Sequence, residues 1–240
     1  MRMIAILAIL AAAAVLIWIV FARSDLDRPT NPLTAAPDAD RVVLMDASAS
    51  IHVDPPAKGW FHHEFLLRRP MLVSQTVKEG RPAIRCETEA SGSIFGRYTD
   101  IDIRKFPKLE WTWLVEKPIV SDLDERTVAG DDHPARLFIR FSDSEGGDHA
   151  MEIIWSNGVF QPGEYKYIKG FPHYVAQSGR RDVGKWIAEK VDLVDLYERI
   201  SGRSDDARLT IAALFCDSDD TATSSIAYFG TIGLARAEAR

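Results

Sequence analysis

The sequence predicts a mostly β fold, a two-sheet antiparallel sandwich or jelly roll with one short helix, preceded by an N-terminal transmembrane helix. Three observations predict it. Apolar residues recur with period two along much of the chain after residue 41, as strands with one buried face require. A single stretch, 193–200, has helical spacing instead; helices therefore do not alternate with strands, which disfavours a parallel α/β sheet. Residues 3–22 carry no charge and almost no polarity.

That N-terminal run comes first in the chain. Its length at helical rise is about 30 Å, the thickness of a bilayer's hydrocarbon core. A buried core helix would show a polar stripe, and this run has none. A cleaved signal has an apolar region of roughly 7–15 residues and a small-x-small site, for which Val20-Phe21-Ala22 is passable. An uncleaved anchor over residues 1–23 fits the length better, with Trp18 and Phe21 near the far interface. Arg2 and the short amino-terminal tail place the N-terminus in the cytoplasm. The expected location is the bacterial inner membrane, single-pass, with the C-terminal part in the periplasm, or free periplasm after cleavage.

Residues 24–40 hold Pro29, Pro32 and Pro37 and lack aromatics, the composition of an extended linker. Residues 41–236 form the predicted sandwich and 237–240 a short tail. Within the sandwich, Leu109, Trp111, Trp113 and Val115 share one strand face. Leu137, Ile139 and Phe141 alternate with Phe138, Arg140 and Ser142, and Met151, Ile153 and Trp155 with Glu152 and Ile154. Leu209, Ile211, Ala213 and Phe215 make one predicted row, and Ile226, Tyr228, Ile232 and Leu234 another. Weaker strand patterns cover 42–45, 83–88, 94–103 and 165–169. The helix is placed by Leu193, Leu196, Tyr197 and Ile200, at i, i+3, i+4 and i+7. Asp192 is its natural N-cap, Asp195 adds first-turn negative charge, and Gly202 ends it.

The ordered set Trp111-x-Trp113, Gly130-Asp131-Asp132, Ile153-Ile154-Trp155-Ser156-Asn157, Trp186, Asp192 and Asp217-Ser218-Asp219-Asp220-Thr221 resembles an uncharacterised bacterial family, domain of unknown function 3047, over residues 41–236. This chain has Asp220 where the family looks like Asn. The resemblance implies a galactose-binding-like or carbohydrate-binding jelly roll and implies no function.

The whole chain has 29 basic and 35 acidic residues, a net charge of -6. That argues against nucleic acid as a partner, because such binding needs a concentrated basic face. No Gly-x-Ser-x-Gly elbow, phosphate-cradling loop or His-Glu-x-x-His pair is present.

Candidate sites are of three kinds. Asp217, Asp219 and Asp220 sit on a predicted turn and are candidate metal ligands, with structural Ca2+ the ion that suits such oxygens. Ordinary turn chemistry is the simpler account of them, and no cofactor is firmly implied. Asp131 and Asp132, beside His133, are candidate ligand-binding residues. Neighbours on a strand face opposite ways, so the two aspartates are not expected to converge; a polar loop entering the strand at 136–141, with Pro134 fixing its approach, is the plainer reading, and an aspartate there could pair with Arg136 or Arg140. Tyr165, Tyr167 and Tyr174, with Trp155 and Trp186 on either side, are candidate sugar-stacking residues, whereas Trp111 and Trp113 are expected in the core. Cys86 and Cys216 are the only cysteines. Export permits a bridge, but two buried thiols are expected.

Three functions follow. The favoured one is a non-catalytic, membrane-tethered binding module for envelope glycan or a similar ligand. The alternatives are a polysaccharide hydrolase using paired carboxylates, and an envelope scaffold that contacts another protein.

Overall fold

The structure, a computed structural model, describes residues 30–203 and 205–237. The predicted transmembrane helix at 1–23 lies outside them. Among the described residues no helix is long and apolar enough to cross a membrane.

Two sheets pack face to face. One is ordered β1 (Leu33–Thr34), β6 (Gly92–Asp102), β13 (Arg208–Asp217), β8 (Arg136–Ser142), β9 (Asp148–Ser156), β11 (Phe171–Ser178) and β10 (Tyr165–Ile168), with β3 (Trp60–Glu64) also paired to β6. The other is ordered β2 (Arg41–Met45), β15 (Ile232–Ala235), β7 (Lys108–Lys117), β14 (Ser224–Phe229), β5 (Arg81–Glu89) and β4 (Leu72–Lys78), with β12 (Ile187–Asp192) on β7. The mostly β, two-sheet prediction stands. Its antiparallel character holds for all but two pairings: β1 runs parallel to β6, and β11 parallel to β9. β1 also falls inside the expected linker, whose C-terminal part is therefore pinned to the sheet.

The core lies between the inner faces. Trp113 from one sheet meets Trp155 from the other at 5.7 Å between ring centroids, and both are buried. Each such ring contributes about 1.5–3 kcal/mol by leaving water. Leu109, Trp111, Val115, Leu137, Ile139, Phe141, Met151 and Ile153 all join this core, as their alternation requires.

Two predicted rows are split. Leu209 faces the core, but Ile211, Ala213 and Phe215 face outward, and Ala212, Leu214 and Cys216 take the inner positions. The register of β13 shifts between Leu209 and Ile211, and a bulge of one residue exchanges the two faces. Likewise Ile226 and Tyr228 lie outside while Ile232 and Leu234 lie inside. The chain changes strand between Phe229 and Ile232, where Gly230 donates to Thr112 O at 2.8 Å.

Cys86 of β5 and Cys216 of β13 form a disulfide, with Cα atoms 6.5 Å apart. This corrects the expectation of two free thiols. Each cysteine occupies an inner-face position of a different sheet, so face-to-face packing brings together residues that are 130 apart in sequence.

Helix α1 (Leu193–Ser201) forms as its signals predict. The Asp192 side chain accepts from Val194 N at 2.9 Å and Asp195 N at 3.4 Å, and Gly202 ends the helix with φ of 84°. Leu193, Leu196 and Tyr197 are its buried face, with Tyr197 5.1 Å from the Phe141 ring.

Candidate functional site

The outer face of the eight-stranded sheet carries a row of charged side chains that alternation alone would leave in water. Register aligns them. Phe138 pairs with Glu152, Glu152 with His173, and His173 with Lys166, while Arg136 lies two residues before Phe138. The parallel placement of β11 between β9 and β10 creates this alignment. Arg136, Glu152, Lys166 and His173 are nevertheless all buried. Three segments cover the row: 131–133 before β8, 217–221 after β13, and the 65–68 stretch after β3.

Arg136 is the centre. Its Nη1 donates to Glu152 Oε2 at 2.6 Å, and its Nη2 to Asp217 Oδ1 and the Asp131 carbonyl. The guanidinium also lies over the Phe215 ring, 4.5 Å from its centroid. Burial would lower Arg136, but the Asp217, Glu152 and Asp131 carboxylates outweigh it and hold the guanidinium well above its ordinary range. Glu152 shows the reciprocal effect. Burial raises it, yet Arg136 and His173 bring it down to about 2. His173 Nε2 stands 3.2 Å from Glu152 Oε2 and 3.7 Å from Asp131 Oδ1, and its Nδ1 faces Phe171 O at 3.1 Å.

Asp131 extends the row. Its Oδ1 takes an ion pair from Lys166 Nζ at 2.5 Å. Burial opposes its charge, but His133 and Arg136 hold it below the usual carboxylate range. Lys166 Nζ also lies 2.8 Å from His133 Nε2. Burial and that cation push His133 well down. Nδ1 lies 3.6 Å from the buried Glu125, whose carboxylate accepts Asn157 N at 3.2 Å and Val159 N at 3.1 Å.

Asp132 turns the other way, as adjacent residues on an extended chain should. Its Oδ2 accepts Thr221 N at 2.6 Å, and its Oδ1 accepts Asp220 N at 3.4 Å. Carboxylate oxygens of Asp132, Asp217 and Asp219 lie within 4.8 Å of one another. Burial pushes Asp217 well up, with Arg136 opposing and Asp132 adding to the rise. Burial likewise raises Asp219 against the pull of Arg68. Arg68 bridges Asp219 and Asp220, the latter at 3.1 Å. The oxygens could hold a hard cation, although two guanidiniums already offset part of their charge.

Over this row lies an open cleft of about 400 Å3. Its polar floor is Asp131, Arg136, Glu152 and His173, and Phe65 and Phe171 are half-buried at its sides. Phe65 packs on Phe215 at 5.7 Å, and Phe171 stacks on Phe138 at 6.5 Å with planes 5° apart.

The structure gathers some of the sequence candidates and disperses others. Asp131, Asp217, Asp219 and Asp220 line the cleft, with Asp132 behind it. Of the pairings open to Asp131 and Asp132, Arg136 takes the Asp131 carbonyl while its ion pairs go to Glu152 and Asp217, and Arg140 takes Asp148. The aromatic set does not assemble. Trp155 is a core ring whose Nε1 donates to Gly179 O at 3.0 Å, as an inward position on β9 demands. Tyr165 and Tyr174 pack against the core at 5.3 Å from each other, on the inner face of the sheet. Tyr167 is exposed on β10. Trp186 covers Leu114 and Tyr228 on the opposite sheet. Sequence reading missed Arg136, Glu152, Lys166 and His173 as site residues. The available signal was a charge at the apolar-flanked outward positions of β8 and β9.

Solved structures similar in part include the glycoside hydrolase domain of Endo-D from Streptococcus pneumoniae R6, at 9% identity over 75% of this chain and TM-score 0.39. This chain spans only 22% of that one. The family 11 carbohydrate-binding module of cellulase Lic26A-Cel5E from Clostridium thermocellum is 11% identical over 81% of this chain and 94% of the module, with TM-score 0.41. Endoglucanase cel12A from Rhodothermus marinus is 13% identical over 75% of this chain and 93% of the enzyme, with TM-score 0.42. At these scores the likenesses assign no activity. No curated protein matches the sequence. Residues 58–233 match the family described as protein of unknown function (DUF3047), and the chain belongs to that family.

Proposed function

We propose that the protein binds a polyhydroxylated ligand, an envelope glycan, in the cleft over the eight-stranded sheet, and holds it without reaction. The observation that carries this reading is the buried, mutually compensated row Arg136–Glu152–His173–Asp131 beneath an open cleft flanked by Phe65 and Phe171. Sugar hydroxyls donate and accept at once, and fixed carboxylates beside a guanidinium satisfy both functions. The C–H face of a sugar ring packs on an aromatic side chain, which supplies the apolar part of such a site. The floor is already ion-paired, so little ordering remains to oppose binding.

A location outside the cytoplasm, tethered by residues 1–23, is part of this proposal. The apolar run and the disulfide both support it.

The test is affinity electrophoresis and calorimetry of the chain against envelope polysaccharides. Phe171→Ala is expected to weaken binding about tenfold, roughly 1.4 kcal/mol, while Trp186→Ala on the other sheet leaves it unchanged. Binding that is lost with Trp186 and kept without Phe171 would sink the assignment to this cleft.

A second reading, hydrolysis, is favoured by one observation. Asp217 is pushed up beside a Glu152 held down, and carboxyls driven apart in this way suit acid and base roles. Reducing ends released from a bound polysaccharide, and lost in Asp217→Asn, would replace binding with catalysis.

A further inference from the structure

A second cavity lies on the other side of β6, between the sheets, where the chain from Asp46 to Ala57 spans from β2 to β3. Its volume is about 200 Å3, and Trp60, Phe95, Ile51, His52, Asp46 and Arg97 line it. Roughly 150 Å3 of apolar space accepts a benzene ring, so this volume admits a ligand of one ring with a substituent.

Arg97 is the unusual group here. It is half-buried on β6, opposite Trp60 on β3 and Ala212 on β13. Its guanidinium lies over the Trp60 ring, 5.1 Å from the centroid. Nη1 donates one long bond, 3.4 Å, to Leu44 O, and the buried Nε has no acceptor. Arg136, in the cleft over the eight-stranded sheet, holds two carboxylates. Arg97 has no such partner among the described residues: burial pushes it down and no neighbouring carboxylate raises it. Asp46 lines the same cavity, but its carboxylate is engaged by Ser48 N at 2.8 Å and Ser48 Oγ at 2.6 Å.

A half-buried guanidinium whose Nε is enclosed without an acceptor, and which no carboxylate neutralises, leaves free energy that an anion would recover. A lone cation matches a single negative charge, and its planar fork fits a carboxylate. Trp60 stacks on Phe95 at 5.4 Å with planes 23° apart, which supplies a flat apolar wall beside the cation. We propose that this cavity binds a small organic carboxylate borne on a flat apolar ring, with Arg97 as its ionic anchor and Trp60 as its stacking face.

The test uses the full-length chain with benzoate as probe and benzamide as its neutral counterpart, followed by calorimetry and by the tryptophan indole N–H signals in NMR spectra. Benzoate is expected to bind saturably and at least about tenfold more tightly than benzamide. Arg97→Gln is expected to abolish that preference without altering the benzamide affinity, and Phe171→Ala, in the other cleft, to leave both probes unchanged. Equal binding of the two probes, no saturable benzoate binding, or undiminished preference in Arg97→Gln overturns the assignment. Should Arg97→Gln fail to fold, the unaltered chain decides through the indole N–H signals: benzoate is expected to shift that of Trp60, which lines this cavity, and saturable binding that leaves it unshifted overturns the assignment.

Discussion

Replacing Arg136 by Met removes the charge at the centre of the buried row while keeping a long apolar side chain. Glu152 and Asp217 then lose the cation that both contact. Breaking a buried ion pair by deleting one partner costs about 3–5 kcal/mol. The structure gives an independent measure for one of the two acids. Glu152 is held at about 2 against an ordinary 4.5, which corresponds to roughly 3 kcal/mol of stabilisation at neutral pH. At about 2–4 °C per kcal/mol for a chain of this size, Arg136→Met is expected to lower Tm by about 10 °C at pH 7. The pH dependence identifies the cause. In the unaltered protein a depressed Glu152 adds stability above its unfolded value, and that stability is lost as pH falls from about 4.5 toward 2. In Arg136→Met the same carboxyl is raised by burial, so acid neutralises it and relieves the damage. The gap between the two proteins is expected to shrink by at least half between pH 7 and about pH 4. Thermal unfolding followed by circular dichroism measures it. A loss below about 1 kcal/mol, or a gap that does not change with pH, would refute the reasoning.

Three further outcomes are expected. Reducing the Cys86–Cys216 bridge, or replacing both residues by Ala, should cost about 5 kcal/mol by chain entropy for a 130-residue separation, read as a drop in the urea midpoint; a change near zero would mean that the unfolded chain is not expanded by reduction. Glu189 is half-buried beside Trp113 Nε1 at 3.3 Å, and burial raises its carboxyl to about 7. Its folded value exceeds the unfolded one, so it lowers stability as pH rises from about 4.5 to 7, and Glu189→Gln should be more stable by about 1–2 kcal/mol at pH 8 after solvent screening, with no gain at pH 4. Asp192→Ala removes the helix cap and the 2.5 Å ion pair to Lys108, and should cost about 1 kcal/mol; an unchanged unfolding midpoint would show that packing of Tyr197 alone holds the helix.

Local signals sufficed wherever local physics decides. Period-two apolar rows at 109–115, 137–141 and 151–155 named strands whose inner faces are buried as predicted, because alternation is fixed by the backbone. The helix at 193–201 was legible for the same reason: an N-cap acid, an apolar stripe and a glycine in the left-handed region all act within one turn. Alternation failed at 209–211, where a residue inserted against the partner strands flips the faces, and at 229–232, where the chain passes from one strand to the next. Both the insertion and the strand change are properties of the pairing, and one strand read alone does not contain them.

By itself the sequence determined the two-sheet β class, the helix and its caps, the divergence of Asp131 from Asp132, and the family. Only the tertiary structure decided which residues meet. The Cys86–Cys216 bridge, the Arg136–Glu152–His173 row and the cavity at Arg97 join strands that are distant in the chain. Their distances are set by strand order, register and the parallel insertion of β11. The aromatics of 155–186 showed the converse: residues close in sequence were sent to the core, to an exposed edge and to the far sheet, because each strand's facing is settled by its partners.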